Sequence, residues 1–179
     1  MSYTPPPPPL PPPPLAPNGR PLASFADRLL AYLIDSAIFV GIYMILVLPL
    51  VIIWVLWLVS TIESGAEPNP AAFIGGYFLL FGVSTLVSLL FTYLYYVEYQ
   101  LRQKGRTVGK KVMKLWVTPL DPAAQLTRNH LLKRWAVQYL AAAFVPLLSY
   151  LDGFWQLWDK PWQQCLHDKA AETVVIKVG

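Results

Sequence analysis

The chain has 179 residues, of which 55% are hydrophobic and only 13% are charged, with a mean hydropathy of +0.44 and a net charge of +4. A water-soluble domain carries about 25% charged residues, so this composition excludes an ordinary cytosolic enzyme, a nucleic-acid-binding module and a disulfide scaffold. The length predicts one domain, and the composition predicts that most of its surface faces lipid.

The N-terminal arm, residues 1–23, is rich in proline and contains eleven of the eighteen prolines of the chain. Proline fixes φ and has no N–H group to donate, so we expect a disordered arm that favours the extended polyproline II conformation. Such an arm is either a plain spacer or a ligand for an aromatic groove of a cytoplasmic partner. The sequence leaves both interpretations open.

Three apolar segments follow in the remaining domain, residues 24–179. They span about residues 29–60, 73–99 and 135–158. A helix of about 20 residues crosses the hydrocarbon core of a bilayer, so each of the first two segments predicts a membrane-spanning helix. Pro146 lies near the middle of the third segment, and Asp152 and Gly153 interrupt its second half. This pattern predicts a broken or re-entrant segment, with a plain third crossing as the alternative.

The basic loop, residues 100–134, holds nine of the fourteen Lys and Arg residues. By the positive-inside rule this loop is cytoplasmic, and the N-terminus then lies on the same side. The loop contains a strand-like stretch that could pair with a strand-like stretch in the tail, residues 159–179, which would also place the tail in the cytoplasm. The expected pairs join Val112, Leu115 and Val117 to Val174, Ile176 and Val178. The predicted fold class is therefore an all-α membrane protein, a bundle of about three hydrophobic helical segments with a small cytoplasmic β element.

Ionisable residues inside the apolar segments are the first candidate site. Arg28 and Asp35 are two helical turns apart and share one face of the first helix, but about 10 Å separates them along its axis. Glu98 and Asp152 are candidate partners for them across the bundle. Two interpretations fit: a polar clasp that locks the helices together, and an ion or proton path.

The segment GRTVGKK, residues 105–111, contains glycines and lysines without the spacing of a nucleotide-binding loop. We interpret it as a turn before a strand, with basic side chains that contact anionic lipid headgroups. The expected headgroup contacts are Arg106, Lys110, Lys111 and Lys114. Cys165, His167 and Asp168 lie close together but are too few for a zinc site. We expect Asp168 to face the basic loop, with Lys110, Lys111 or Arg106 within reach of its carboxylate. We predict no catalytic residue, no metal and no cofactor.

Three blocks of the sequence resemble the RDD family of membrane proteins. They are RLLAYLID (28–35), GRTVGKKVMKLWV (105–117) and QQCLHDKAAETVVIK (163–177). The resemblance assigns the arginine of the family to Arg28, the first aspartate to Asp35 and the second to Asp168, with Asp152 as the alternative. Glu172 stands where the family usually has glycine. The arm joined to such a domain further resembles the proline-rich antigen type of actinobacteria.

The resemblance implies a multi-pass protein of the bacterial plasma membrane with no enzyme activity, and some members of the family have been proposed to be ion transporters or cation/proton antiporters. We therefore predict a homo-oligomeric transporter in which an intramembrane pair, Asp35 and Arg28, binds the ion. The alternative is a non-catalytic scaffold or assembly factor that recruits a partner through the proline-rich arm. Membrane lipids are expected partners, and nucleic acid is not.

Overall fold

The structure is a computed structural model that describes residues 13–145 and 147–179. Most of the proline-rich arm therefore lies outside the described residues, as does Pro146, the predicted break in the third apolar segment.

Two long helices, α1 (Phe25–Glu63) and α2 (Pro70–Arg102), dominate the fold. The Ser24 side chain caps α1 by accepting a hydrogen bond from a backbone N–H of its first turn. The Asn69 side chain caps α2 in the same way. Pro70 follows at the first helical position, where its lack of an N–H group leaves no hydrogen bond unmade. Within the described residues, only α1 and α2 are long and apolar enough to cross a membrane.

The apolar side chains of α1 and α2 are largely exposed. Ile45 is 74% exposed, and Leu79 and Leu86 are each 68% exposed. Each square ångström of apolar surface left in water forgoes roughly 25 cal/mol of stabilisation, so two helices exposed in this way favour a lipid environment over water. The predicted segments 29–60 and 73–99 fall inside the two helices.

The third apolar segment consists of short helical pieces. Helix α4 (Arg128–Trp135) continues through a π-helical turn (Ala136–Ala141) into a last α-helical turn, and a separate helix, α5, covers Leu148–Trp155. A second π-helical turn, Leu94–Tyr99, lies inside α2. Such turns carry one extra residue and occur frequently at functional sites. The two turns meet through the rings of Tyr96 and Tyr139, which stack at 4.7 Å.

A two-stranded antiparallel sheet pairs β1 (Leu115–Pro119) with β2 (Thr173–Lys177), placing Val117 opposite Val175. The predicted pairing of the basic loop with the tail is therefore confirmed. The expected residue pairs are wrong, because Leu115 lies opposite Lys177 and Val117 opposite Val175. Val112 takes no part in the strand, since it ends the short helix α3 (Val108–Val112).

Both faces of the sheet are covered, and residues 14–23 supply part of the cover. On one face the buried side chains are Ala23, Ala31, Leu115, Val117 and Val175. On the other face they are Ala16, Leu22, Val174 and Ile176. The Ala23 N–H donates to the Val175 carbonyl at 2.9 Å, so this stretch also runs along the outer edge of β2. The last residues of the predicted disordered arm are thus packed against the sheet.

Candidate functional site

Asp35 is buried near the start of α1, with only 1% of its surface exposed. The Tyr95 hydroxyl and the Gly109 N–H both donate to its Oδ1, each at 2.7 Å. The Thr107 hydroxyl donates to its Oδ2 at 2.6 Å. Three neutral donors, one from α2 and two from the segment around α3, thus satisfy the carboxylate and join both of these elements to α1.

The segment 105–111 is built to bring its backbone against α1. Thr107 caps α3 by accepting the Lys110 N–H, while its hydroxyl proton goes to Asp35. A Cβ at Gly109 would overlap the Ala31 carbonyl oxygen and lie 2.9 Å from Asp35 Oδ1. Only glycine therefore allows this approach. The sequence prediction of a simple turn missed this carboxylate-binding role; the pairing of a capping threonine with a glycine two residues later was the available signal.

Asp168 is fully buried in helix α6 (Leu166–Ala170) and binds two arginines. Arg134 donates to its Oδ1, and Arg28 Nη1 donates to its Oδ2 at 3.2 Å. The Cys165 N–H donates to Oδ2 at 3.1 Å. Burial alone raises the pKa of Asp168, but Arg134, His167 and Arg28 outweigh it and hold that pKa well below its usual range. This carboxylate therefore stays ionised.

Two predicted pairings are corrected by this geometry. Arg28 binds Asp168 and not Asp35, because its side chain reaches the tail helix packed beside the start of α1. Asp168 meets the basic loop through Arg134, the last residue of that loop, and not through Lys110, Lys111 or Arg106. Arg134 was missed as a site residue, although it precedes the third apolar segment much as Arg28 precedes the first.

Glu98 and Asp152, the predicted partners across the bundle, have other partners. Glu98 accepts hydrogen bonds from Tyr93 Oη and from Arg128 Nη2, each at 2.9 Å. Asp152 accepts the His167 N–H at 2.8 Å and pairs with His167 Nδ1 at 2.6 Å, joining α5 to α6. The other ring nitrogen of His167 lies 3.7 Å from Asp168 Oδ1, so Asp152 belongs to the cluster of Asp168 and Arg28, whereas Asp35 and Glu98 each have separate partners.

The basic residues of the segment 105–114 contact aromatic or polar side chains of the protein, Lys114 excepted, which is exposed. Lys111 Nζ donates to Tyr99 Oη at 3.1 Å and to Gln103 Oε1 at 2.7 Å. Arg106 and Lys110 each place their cationic group over an aromatic ring. Arg106 Cζ lies 4.9 Å from the centre of the Trp116 ring, and Lys110 Nζ lies 5.8 Å from the centre of the Tyr96 ring. Burial lowers the pKa of Lys110 to about 8, partly opposed by the Asp35 carboxylate. Headgroup contact by these side chains stays a prediction.

Cys165, His167 and Asp168 bring three possible metal-ligand atoms within 4.8 Å of one another. Burial raises the pKa of the Cys165 thiol, which keeps it protonated. Both oxygens of Asp168 are held by guanidinium groups, which would repel a metal cation. The chemistry of this donor set is that of a buried salt bridge.

Comparison with known proteins identifies the family. The model of the RDD family matches residues 22–172, a range that includes Arg28, Asp35 and Asp168. Neither the curated proteins nor the solved structures contain a significant match. The family match and the two long apolar helices are together consistent with a membrane protein. The chain belongs to the RDD family.

Proposed function

We propose that this protein is a multi-pass transporter of the bacterial plasma membrane that exchanges protons for a small cation, with Asp35 as the ion-binding carboxylate. In this proposal α1 and α2 cross the bilayer, and the N-terminus and residues 100–134 lie in the cytoplasm. No enzyme activity is assigned to it.

The observation that carries the proposal is the contrast between the two buried aspartates, Asp35 and Asp168. Two arginines hold Asp168 ionised near neutral pH, so it serves as a structural anchor. Asp35 receives its hydrogen bonds from two hydroxyls and one backbone N–H. Because these donors are neutral, no arginine or lysine of the described residues forms a direct ion pair with Asp35, which leaves its carboxylate open to exchange in the proposed mechanism. Ionisable residues inside membrane helices commonly mark ion pathways.

The pairing of β1 with β2 supports a broken or re-entrant third segment. One strand precedes this segment and the other follows it, so both ends of the segment lie beside the sheet. With the sheet in the cytoplasm, the tail is cytoplasmic too. Two crossing helices make a thin wall for an ion pathway, so we propose that several copies of the chain assemble.

Flux into proteoliposomes tests the proposal. The wild type should couple an inward gradient of Na⁺, K⁺ or Li⁺ to proton efflux, and Asp35→Asn should abolish that exchange. Glu63→Gln, which removes an exposed carboxylate at the opposite end of α1, should leave it unchanged. A folded, oligomeric wild type that moves none of these cations, or full exchange in Asp35→Asn, would refute the transport role.

The packing of residues 14–23 against the sheet favours a second candidate, a membrane scaffold. The proline-rich stretch before these residues is thereby attached to the folded sheet and its buried core. An arm that recruits a partner needs such a fixed attachment. Deletion of residues 2–12 separates the two candidates. A transporter should keep its proton–cation exchange after this deletion, whereas a scaffold should lose its cytoplasmic partner and its cellular role.

A further inference from the structure

A cleft of about 250 Å³ opens between α1, α2 and the π-helical turn that follows α4. Six of its nine lining residues carry a hydroxyl group, and the rest of the lining, which includes Phe81 and Leu89, is apolar. The hydroxyl-bearing residues are Tyr43, Ser84, Thr85, Ser88, Thr92 and Tyr139. Because they come from three separate elements, the polar lining is a property of the folded chain and not of one helix alone.

The hydroxyl groups on α2 present oxygen lone pairs to this cleft. Ser84, Ser88 and Thr92 recur every fourth residue and so form one row along the helix. Ser84 Oγ donates its proton to the Leu80 carbonyl at 2.6 Å, and Thr92 Oγ1 donates to the Leu89 carbonyl at 3.0 Å. With its proton used inside the helix, the Ser84 oxygen remains an acceptor, whereas the Thr92 oxygen already accepts the Trp135 Nε1–H at 3.0 Å and keeps one lone pair. Hydroxyl and water oxygens are suitable ligands for a small hard cation.

An aromatic layer separates the cleft from Asp35. Phe39 lies one turn from Asp35 and one turn from Tyr43 on the same face of α1. Its ring is 4.9 Å from that of Phe91 and 5.6 Å from that of Tyr96, between centroids. The Tyr96 ring in turn stacks at 4.7 Å on Tyr139, which lines the cleft.

The contacts of Tyr95 complete this layer on the side of Asp35. Its ring packs edge-on against Phe39 at 5.6 Å and against Tyr96 at 5.0 Å, and its hydroxyl donates to Asp35. The distance along the α1 axis from Asp35 to Tyr43 is about 12 Å. Phe39 contacts Phe91, Tyr95 and Tyr96, so a change in the position of its ring alone would open the centre of the layer.

We propose that this cleft is a hydrated binding site for a small monovalent cation, and that Phe39 closes it from Asp35. The binding site follows from the lining of the cleft by itself, whereas the closing role of Phe39 rests on the proposed transport function.

Cysteine reactivity tests the hydrated site without reference to transport. Single cysteines at Ser84 and Ser88, in a Cys165→Ser background, should react with 2-aminoethyl methanethiosulfonate in membranes. Cysteines at Leu86 and Leu90, which lie at the same depth but point outward, are the matched controls. The thiolate is the reactive form, and a lipid environment raises the pKa of a thiol. A rise of one pKa unit lowers the thiolate fraction about tenfold. The control cysteines should therefore react with the reagent at least about tenfold more slowly than those at Ser84 and Ser88.

Competition by cations then tests occupancy. Addition of Na⁺, K⁺ or Li⁺, with choline as the control for ionic strength, should slow the reaction at Ser88→Cys at least twofold for one of the three. Equal reactivity of serine and leucine positions would refute the hydrated cleft, as expected if an acyl chain or a second copy filled it. Equal rates in all four salts would refute cation binding. A cation-protected cleft in a protein without flux would refute the transport role alone.

The closing role of Phe39 is tested by labelling the carboxylate behind it. A water-soluble carbodiimide with an amine nucleophile should modify Asp35 several-fold more in Phe39→Ala than in the wild type, read by mass spectrometry of the α1 peptide. Phe78→Ala, at a ring 63% exposed on the outer face, is the control, and Phe39→Leu gives a milder opening if the alanine variant folds poorly. Equal labelling in folded Phe39→Leu, Phe78→Ala and wild type would refute the closing role.

Discussion

At Gly109 a single missing side chain allows the backbone of α3 to reach Asp35. We predict that Gly109→Ala lowers the free energy of unfolding in detergent micelles by about 2 kcal/mol or more, because a buried carboxylate loses a donor and two backbones must move apart. Gly41→Ala is the matched control, since a Cβ at Gly41 in α1 meets open space. Equal stability of the two variants would contradict the close contact.

Glu172 carries backbone strain that glycine would relieve. Its φ of 51° lies in the left-handed region, which costs residues with a side chain about 1–2 kcal/mol. Glycine avoids this cost, but it loses more conformational entropy on folding, which offsets part of the gain. We expect Glu172→Gly to raise the free energy of unfolding by about 0.5–1 kcal/mol. Glu172→Ala, which removes the same exposed carboxylate but keeps the Cβ, should give no such gain. A gain of the same size in both variants would assign the effect to charge.

The sequence predicted the identity of the buried charges better than their partners. The spacing of Arg28 and Asp35 placed both on one helix face, and both form hydrogen bonds to distant segments of the chain. Their partners, Asp168 and Thr107, lie at least 72 positions away along the chain, as the hydrogen bonds to them show. Periodicity reports the face on which a residue lies, and it carries no information on which distant segment packs there.

At the scale of elements, the ion pairs of Asp168 join α6 to the starts of α1 and of the third apolar segment. We predict that Asp168→Asn lowers the free energy of unfolding by about 3–5 kcal/mol near neutral pH, because it leaves Arg28 and Arg134 buried with a neutral partner. The pKa of Asp168 is held below its usual range, so its contribution is fully present above the unfolded-state pKa of about 4 and is lost as the pH falls below it.

The measurement is the difference in unfolding free energy between wild type and Asp168→Asn from pH 7 to pH 3. This difference should stay constant down to about pH 4 and narrow below it. Glu67→Gln, at an exposed carboxylate in the turn between α1 and α2, should change stability little at any pH. A difference that widens on acidification would contradict the ion-pair assignment.

Long elements were predictable from the sequence, and short ones were not. The apolar segments 29–60 and 73–99 mark α1 and α2, since hydrophobicity over many residues is a strong signal. The five-residue helices α3 and α6 escaped prediction, because they depend on capping by Thr107 and Asp168 and on tertiary contacts. The strand pairing was predictable from two β-branched stretches, but its register was not.

For the whole molecule, the proposed orientation predicts which side each loop faces. Single cysteines replacing the exposed Ser64 and Asn69 should react in intact cells with a membrane-impermeant thiol reagent, on a Cys165→Ser background. Cysteines replacing the exposed Ala123 and Gln125 should react only after the cells are permeabilised, because the proposed orientation places the basic loop in the cytoplasm. Labelling of the latter pair in intact cells would show that the orientation is reversed.

The central claim is that Asp35 exchanges a proton for a cation, and infrared difference spectroscopy tests it most directly. The protein is held in lipid films, without cation, at a pH low enough to show a protonated-carboxyl C=O band, and addition of Na⁺, K⁺ or Li⁺ should then remove that band. We expect that change in the wild type and in Glu63→Gln, and its loss in Asp35→Asn. The same carboxyl band change in Asp35→Asn as in the wild type, or no carboxyl change with any of Na⁺, K⁺ and Li⁺, would contradict the account.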